Sequence, residues 1–154
     1  MRYPAVIVCA LVLLAAIFLG LDKNPSNSAV HTLESGQAYE GFVMRLRAAI
    51  EENGLNIVEG ACGKCAIKTI ENIDENALII SVYRPDMMMK MLQSGAAAGA
   101  EPPLRFYVSK LEDGAARLTY HQPSKALAIY NAPALEPIGK ELDGLFEKIV
   151  AAVR

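Results

Sequence analysis

The stretch from Leu104 to His121, LRFYVSKLEDGAARLTYH, decides the fold. On both sides of a central Glu-Asp-Gly, apolar side chains alternate with polar ones. A period of two around an Asp-Gly turn is typical of a β-hairpin. One face of this hairpin is apolar, so another part of the chain must cover it.

Two segments with helical spacing of apolar residues can supply that cover. The first runs from about Gln37 to Asn53 and ends at Gly54, which suits a left-handed C-terminal cap. The second begins near Ala134, with prolines confined to its first turn. Its apolar stripe also fits a coiled-coil dimer seam, but packing on a sheet is favoured because only about two heptads exist. The stripe consists of Leu135, Ile138, Leu142, Leu145 and Ile149.

The rest of the chain predicts shorter elements, and Ala61–Asn76 stays unassigned. Together they indicate an α+β fold, in which an antiparallel sheet of about four or five strands is covered on one face by two main helices and a short third. An N-terminal hydrophobic helix precedes this domain. The predicted elements are a strand at Ala29–Leu33, a strand at Leu55–Glu59, a strand mostly buried on both faces at Ala77–Tyr83, a short helix at Met87–Leu92, and a short helix or loop at Lys125–Asn131.

The N-terminal segment has an apolar run from Ala5 to Leu21, 17 residues without a charge, behind the basic Arg2. As a helix it would extend about 25 Å, close to the ~30 Å of a bilayer core. It fits a signal anchor, a cleaved signal peptide or, less well, a buried core helix. Residues 22–28 are polar and read as a linker to a domain at 29–154. With Arg2 inside, the domain is predicted to be extracytoplasmic, on the periplasmic side, membrane-anchored or secreted.

Composition limits the function classes. The net charge is −2 and the basic residues are scattered, so the sequence gives no case for nucleic-acid binding. There is no Trp to form a large aromatic platform. No nucleotide fingerprint, phosphate loop or catalytic triad pattern is present, so no motif fixes a reaction.

Four short segments have a recognisable pattern: Gly54–Val58, Leu78–Pro85, Pro103–Val108 and Leu118–Pro123. Together with the order of elements, they resemble the domain of unknown function 302 family over about residues 29 to 152. The resemblance implies a compact α+β domain with helices on an antiparallel sheet, often dimeric, and it implies no activity. A Cys pair and a Met run depart from the family pattern, so no family role extends to them.

Cys62 and Cys65 form a Cys-Gly-Lys-Cys motif. Outside the cytoplasm this pair can form a local disulfide. At a helix start it can be redox-active, because the helix dipole and Lys64 favour the thiolate. Metal ligation and free, inert thiols are the other interpretations. Zinc is disfavoured because it wants four ligands, and a c-type haem site lacks its His.

The run Met87–Met91 carries four Met around Lys90. Thioethers suit Cu(I), so Met88 and Met91 with Cys62 and Cys65 form a hypothetical extracytoplasmic copper site. Met is also an adaptable filler of cores and dimer interfaces, which is the favoured interpretation. No other cofactor is expected.

Tyr120 and His121, at the end of the second hairpin strand, are the candidate ligand-binding residues. A His in this position is more often simply solvated. The sequence thus predicts a non-enzymatic module that binds a small ligand or partner on its sheet or at a homodimer interface, held to the membrane through Ala5–Leu21. A thiol-disulfide protein and a Cu(I)-binding protein, both using Cys62 and Cys65, are the alternatives.

Overall fold

A computed structural model describes residues 29–58, 77–94 and 96–154 of the chain. The predicted N-terminal helix, the linker and the pair Cys62 and Cys65 lie outside these residues. In chain order the described elements are β1 (Val30–Ala38), α1 (Tyr39–Glu52), β2 (Asn56–Val58), β3 (Ala77–Tyr83), α2 (Pro85–Ser94), a 3-10 turn (Ala96–Ala100), β4 (Leu104–Lys110), β5 (Ala115–His121), α3 (Pro123–Ala128), a 3-10 turn (Pro133–Leu135) and α4 (Glu136–Val153).

The five strands of the described part form one antiparallel sheet in the order β1-β5-β4-β3-β2. The predicted hairpin is confirmed as β4 and β5. Its turn closes at Gly114, whose φ of +85° favours a residue without a side chain. Asp113 Oδ1 accepts a hydrogen bond of 2.9 Å from the backbone N–H of Ala115. The Asp-Gly of the sequence therefore acts through both its carboxylate and its backbone freedom.

Helices α1 and α4 cover one face of the sheet, which confirms the α+β architecture. Their apolar sides meet the inward residues of β3, β4 and β5 in the main core. The predicted cap at Gly54 is also confirmed, with a φ of +75°. The buried members of this core are Phe42, Leu46, Ala49, Ile50, Leu55, Ile80, Val82, Phe106, Val108, Ala116, Leu118, Phe146, Ile149, Val150 and Val153.

A second core lies where α2 and α3 meet the N-terminal half of α4. Helix α3 is the addition to the predicted fold: the described part contains four α-helices rather than three. The segment left open between helix and loop is helical and begins at Pro123, two residues early. The buried residues of this second core are Met87, Met91, Ala98, Leu127, Leu135, Ile138 and Leu142.

Two strand predictions need correction. The first strand does not stop at Leu33 but continues to Ala38 and runs directly into α1. A register shift against β5 between Glu34 and Ala38 accompanies a φ of +61° at Gly36. Strand β3 is only partly buried on its outward face, where Ser81 is 3% exposed but Ile79 remains 37% exposed. The described helices cover one face of the sheet, and antiparallel sheets can leave the other face to solvent.

The C-terminal helix confirms the predicted stripe with small changes. The α-helix begins at Glu136 after a 3-10 turn rather than at Ala134. Most stripe residues are buried, whereas Leu145 is only partly covered and Phe146 is buried in the main core. One helix therefore contributes to both cores and fixes the second core against the sheet.

Candidate ligand-binding face

Strands β4 and β5 present different chemistry on their two faces. Phe106 and Leu118 point toward the helices and are 0% exposed. Arg105, Tyr107 and Thr119 alternate with them and so point the other way. We call this outward surface the open face and define it by the side chains of Ile79, Arg105, Tyr107, Thr119 and His121.

Strand register arranges the open face in two neighbouring rows. In the first, Tyr107 lies between Ile79 of β3 and Thr119 of β5. In the second, Arg105 pairs with Ser81 on one side. Because Phe106 pairs with Tyr120 in the antiparallel β4–β5 ladder, Arg105 faces His121 on the other side. Directly opposed side chains have Cβ atoms about 4.5–5.5 Å apart, so each row is a continuous surface.

A depression of about 310 Å³ lies over this part of the sheet. Two large side chains of its lining are well exposed, Tyr107 at 42% and Ile79 at 37%. The lining combines apolar surface, hydroxyls, one guanidinium and one carboxylate. It consists of Ile79, Glu101, Pro103, Leu104, Arg105, Tyr107, Thr119, Tyr120 and His121.

The two candidate residues from the sequence, Tyr120 and His121, both line the depression but do not act as a pair. As neighbours in a strand their side chains point to opposite faces. Tyr120 packs inward, with its ring 5.2 Å from that of His31 and 5.6 Å from that of Phe146. Burial, and then the charge of Glu147, raise the pKa of its phenol. His121 is exposed and belongs to the open face.

Sequence reasoning missed Arg105, Tyr107 and Thr119, although their signal was in the hairpin itself. These are the polar members of its alternation, and they face away from the covered side. Thr119 Oγ1 lies 3.3 Å from Thr32 Oγ1 of the edge strand, so its hydroxyl is already engaged. Arg105, Tyr107 and His121 are the polar side chains of this surface that remain available to a ligand in the described part of the chain.

The charged side chains around the open face differ in how they are satisfied. Arg117, in the row beyond Thr119, pairs with Glu34 at 2.6 Å. On the helical side, Arg84 pairs with Asp86 at 2.7 Å and with Glu141 at 3.0 Å. Among the described carboxylates, none lies within ion-pair distance of Arg105. Its guanidinium is thus a cation without an internal counter-charge in the part of the chain that is described.

Two other depressions have fewer charged and aromatic side chains in their linings. One of about 390 Å³ lies between α3 and the start of α4, where Glu136 is the charged lining residue. Another of about 550 Å³ is lined by residues from Glu51 to Ile57. Neither brings together the arginine, histidine and aromatic groups of the open face.

The Met run is divided between packing and solvent. Met87 and Met91, four residues apart on one helix face, are 1% and 2% exposed in the second core. Met88 is half-buried and Met89 is exposed. Within residues 29–58, 77–94 and 96–154, no group of three or more His, Cys, Asp or Glu is arranged to hold a metal ion. The copper hypothesis depends on Cys residues outside these ranges and stays a prediction.

None of the helices in the described ranges is both long enough and apolar enough to cross a membrane.

In the ranges that the structure describes, the fold is a small two-layer α+β domain whose helices cover one face of its antiparallel sheet. The model of the family described as "Domain of unknown function DUF302" matches residues 31–153, and the chain belongs to that family. A solved relative in fold is the crystal structure of an uncharacterised conserved DUF302 protein from Bacillus stearothermophilus. It is 15% identical, with a TM-score of 0.72 over 82% of this chain and 98% of that one. No curated protein matches the chain.

Proposed function

We propose that this protein is a non-enzymatic binding module that takes a small ligand or a partner on its open face. The observation that supports it is the exposed pair Tyr107 and Ile79 beside the depression of about 310 Å³. Isolated apolar side chains on a surface are ordinary, but a concave site with apolar surface and convergent polar groups is typical of ligand binding.

The polar chemistry of the open face favours binding over catalysis. A general base acts through a hydrogen bond to a nucleophile or to the proton that it removes. In the described part of the chain, the His121 ring has no hydrogen bond to a hydroxyl or a carboxylate. Thr119 is engaged with Thr32 rather than with a base. Such groups can orient a ligand without transforming it.

The proposal includes a location outside the cytoplasm. The domain is either tethered to the membrane by Ala5–Leu21 or exported after this segment is cleaved. It is supported by the uncharged apolar run behind Arg2. Cell fractionation and the intact mass of the recovered chain test this part. A full-length chain in the cytoplasmic fraction would refute it, whereas the mass in the membrane or secreted fraction distinguishes anchor from signal peptide.

Binding on the open face can be tested with the purified full-length chain and a diverse fragment library, using ligand-observed NMR. The test variant is Ile79→Ser with Tyr107→Ser, which removes apolar surface from the depression. The matched control is Ile129→Ser, at a residue that is 67% exposed on the helical side. We expect a set of fragments to bind the native chain and the control variant. The same fragments should not bind the double variant. Fragments that bind all three proteins equally would refute the proposal.

The thiol-disulfide and Cu(I) hypotheses remain predictions from Cys62 and Cys65. Thiol titration with and without reductant measures the redox state of the pair. The burial of Met91 gives one of the suggested copper ligands a packing role instead. If Cu(I) binding proves unchanged in Cys62→Ser/Cys65→Ser, the copper hypothesis is wrong.

A further inference from the structure

We propose that the depression on the open face recognises a small carboxylate that carries an aromatic or similarly flat apolar group, with Arg105 binding the carboxylate. This inference rests on the proposed function and names the ligand class for the same site. It follows from the charge, the size and the lining of the depression.

The guanidinium of Arg105 is the positive charge in the lining of the depression. It extends from the second residue of β4 onto the lining, and it has no ion-pair partner among the described carboxylates. A guanidinium presents a planar fork of N–H donors that matches a carboxylate in two parallel hydrogen bonds. His121 faces Arg105 across the β4–β5 ladder and can add a further donor.

The apolar part of the lining indicates that the ligand also carries a flat apolar group. Tyr107 and Ile79 are cross-strand partners in the neighbouring row and expose a ring and an aliphatic surface side by side. Pro103 adds a rigid apolar edge. Aromatic rings gain from offset or edge contacts with one another, so a flat ring suits this floor. A volume of about 310 Å³ admits a single-ring compound and excludes a folded partner from the depression itself.

Glu101 places a negative charge in the same lining as the positive charge of Arg105. Its carboxylate lines the same depression and accepts a hydrogen bond of 3.2 Å from Tyr130, yet it makes no ion pair with Arg105. An anionic ligand is attracted by Arg105 and repelled by Glu101. The two neutralising substitutions must therefore change carboxylate affinity in opposite directions. A purely structural role for either residue would not produce that pattern.

The experiment titrates the full-length chain with benzoate, and with benzamide as its neutral isostere, by ligand-observed NMR. We expect benzoate to bind and Arg105→Gln to weaken it about ten- to a hundredfold, the range for losing hydrogen bonds to a charged group. We expect Glu101→Gln to tighten it by a few fold. Arg45→Gln, which removes the same charge from the exposed side of α1, should leave benzoate affinity unchanged.

Each alternative result overturns the inference in a recognisable way. If benzamide binds as well as benzoate, or Arg105→Gln binds benzoate normally, the site recognises the apolar part of the ligand and does not select a carboxylate. The proposed binding function would then stand, but the proposed ligand class would not. Equal weakening by Arg45→Gln would mean general charge attraction. If benzoate does not bind while library fragments still depend on Ile79 and Tyr107, the ligand class is wrong. If nothing binds, both proposals fail.

Discussion

Helix α4 contains two glycines, Gly139 and Gly144, whose surroundings differ. Replacing each by Ala therefore tests how closely α4 packs against its neighbours. A Cβ built on Gly139 lies 2.7 Å from the Cα and 3.0 Å from the Cβ of Ser124 in α3. A Cβ on Gly144 meets nothing within 4 Å. Replacing Gly by Ala in a helix interior adds about 1 kcal/mol of stability where there is room. Overpacking against a neighbour that holds its position costs about 1–3 kcal/mol.

Ser124 is held in place by Asp143, one turn beyond Gly139. The carboxylate accepts hydrogen bonds from the backbone N–H of Ser124 at 2.8 Å and from its hydroxyl at 2.6 Å. It also accepts one from Gln122 at 2.7 Å. Because backbone atoms are involved on both sides, the contact cannot be relieved by a rotamer change. The close approach at Gly139 thus fixes α3, and with it the end of β5 that carries His121.

We therefore expect Gly144→Ala to raise the free energy of unfolding by about 1 kcal/mol. Gly139→Ala should lie about 1–3 kcal/mol below Gly144→Ala, giving a net change between neutral and about 2 kcal/mol of destabilisation. Urea unfolding followed by far-UV circular dichroism measures both. If the two variants are equally stabilised, the close packing of α3 on α4 is wrong.

Three further predictions concern the core, a surface charge and a turn. Phe106→Ala should cost about 3–5 kcal/mol in urea unfolding, because its ring is 0% exposed and lies 4.4 Å from that of Phe146. The hydrogen bond from Arg84 lowers the pKa of Asp86 from 3.8 to about 2, so its stabilising effect is present above pH 4 and is lost as the pH falls toward 2. Asp86→Asn should therefore show a flatter decline of Tm over that interval. Gly54→Ala, at a φ of +75°, should destabilise by about 1 kcal/mol.

Matched substitutions serve as controls. Tyr107→Ala removes a comparable ring from the same strand where it is 42% exposed, so it should cost far less than Phe106→Ala. Equal losses would contradict the division into covered and open faces. Glu112→Gln, in the hairpin turn, should leave the acid-dependent decline of Tm unchanged, and a native-like decline in Asp86→Asn would show that the Arg84 pair is not responsible. An unchanged Gly54→Ala would contradict the left-handed cap.

The hairpin and the two long helices could be predicted because each has one buried face and therefore a clear period. The period of two runs through Phe106 and Val108, and the period of 3.6 runs through Ile138, Leu142 and Ile149. The sequence alone predicts too short a β1, because this strand lies at the sheet edge and carries mostly polar residues after Leu33. Its length is set by pairing with β5, which local sequence does not encode.

The candidate site was only partly predictable, for a similar reason. The position of Tyr120 and His121 at a strand end predicts a binding role for both, yet the alternation that predicts the strand also places them on opposite faces. The same alternation identifies Arg105 and Tyr107 as outward residues. What the sequence lacks is the neighbouring strand: only the register of β3 against β4 brings Ile79 beside Tyr107.

The most direct test of the central claim is to locate a bound ligand on the full-length chain. A fragment retained by the native protein can be converted to a photoreactive derivative, crosslinked and mapped by mass spectrometry. We predict adducts at Tyr107 and its open-face neighbours, suppressed by excess parent fragment. Competed adducts confined to the depression between α3 and α4, around Leu127 and Asn131, would contradict the account.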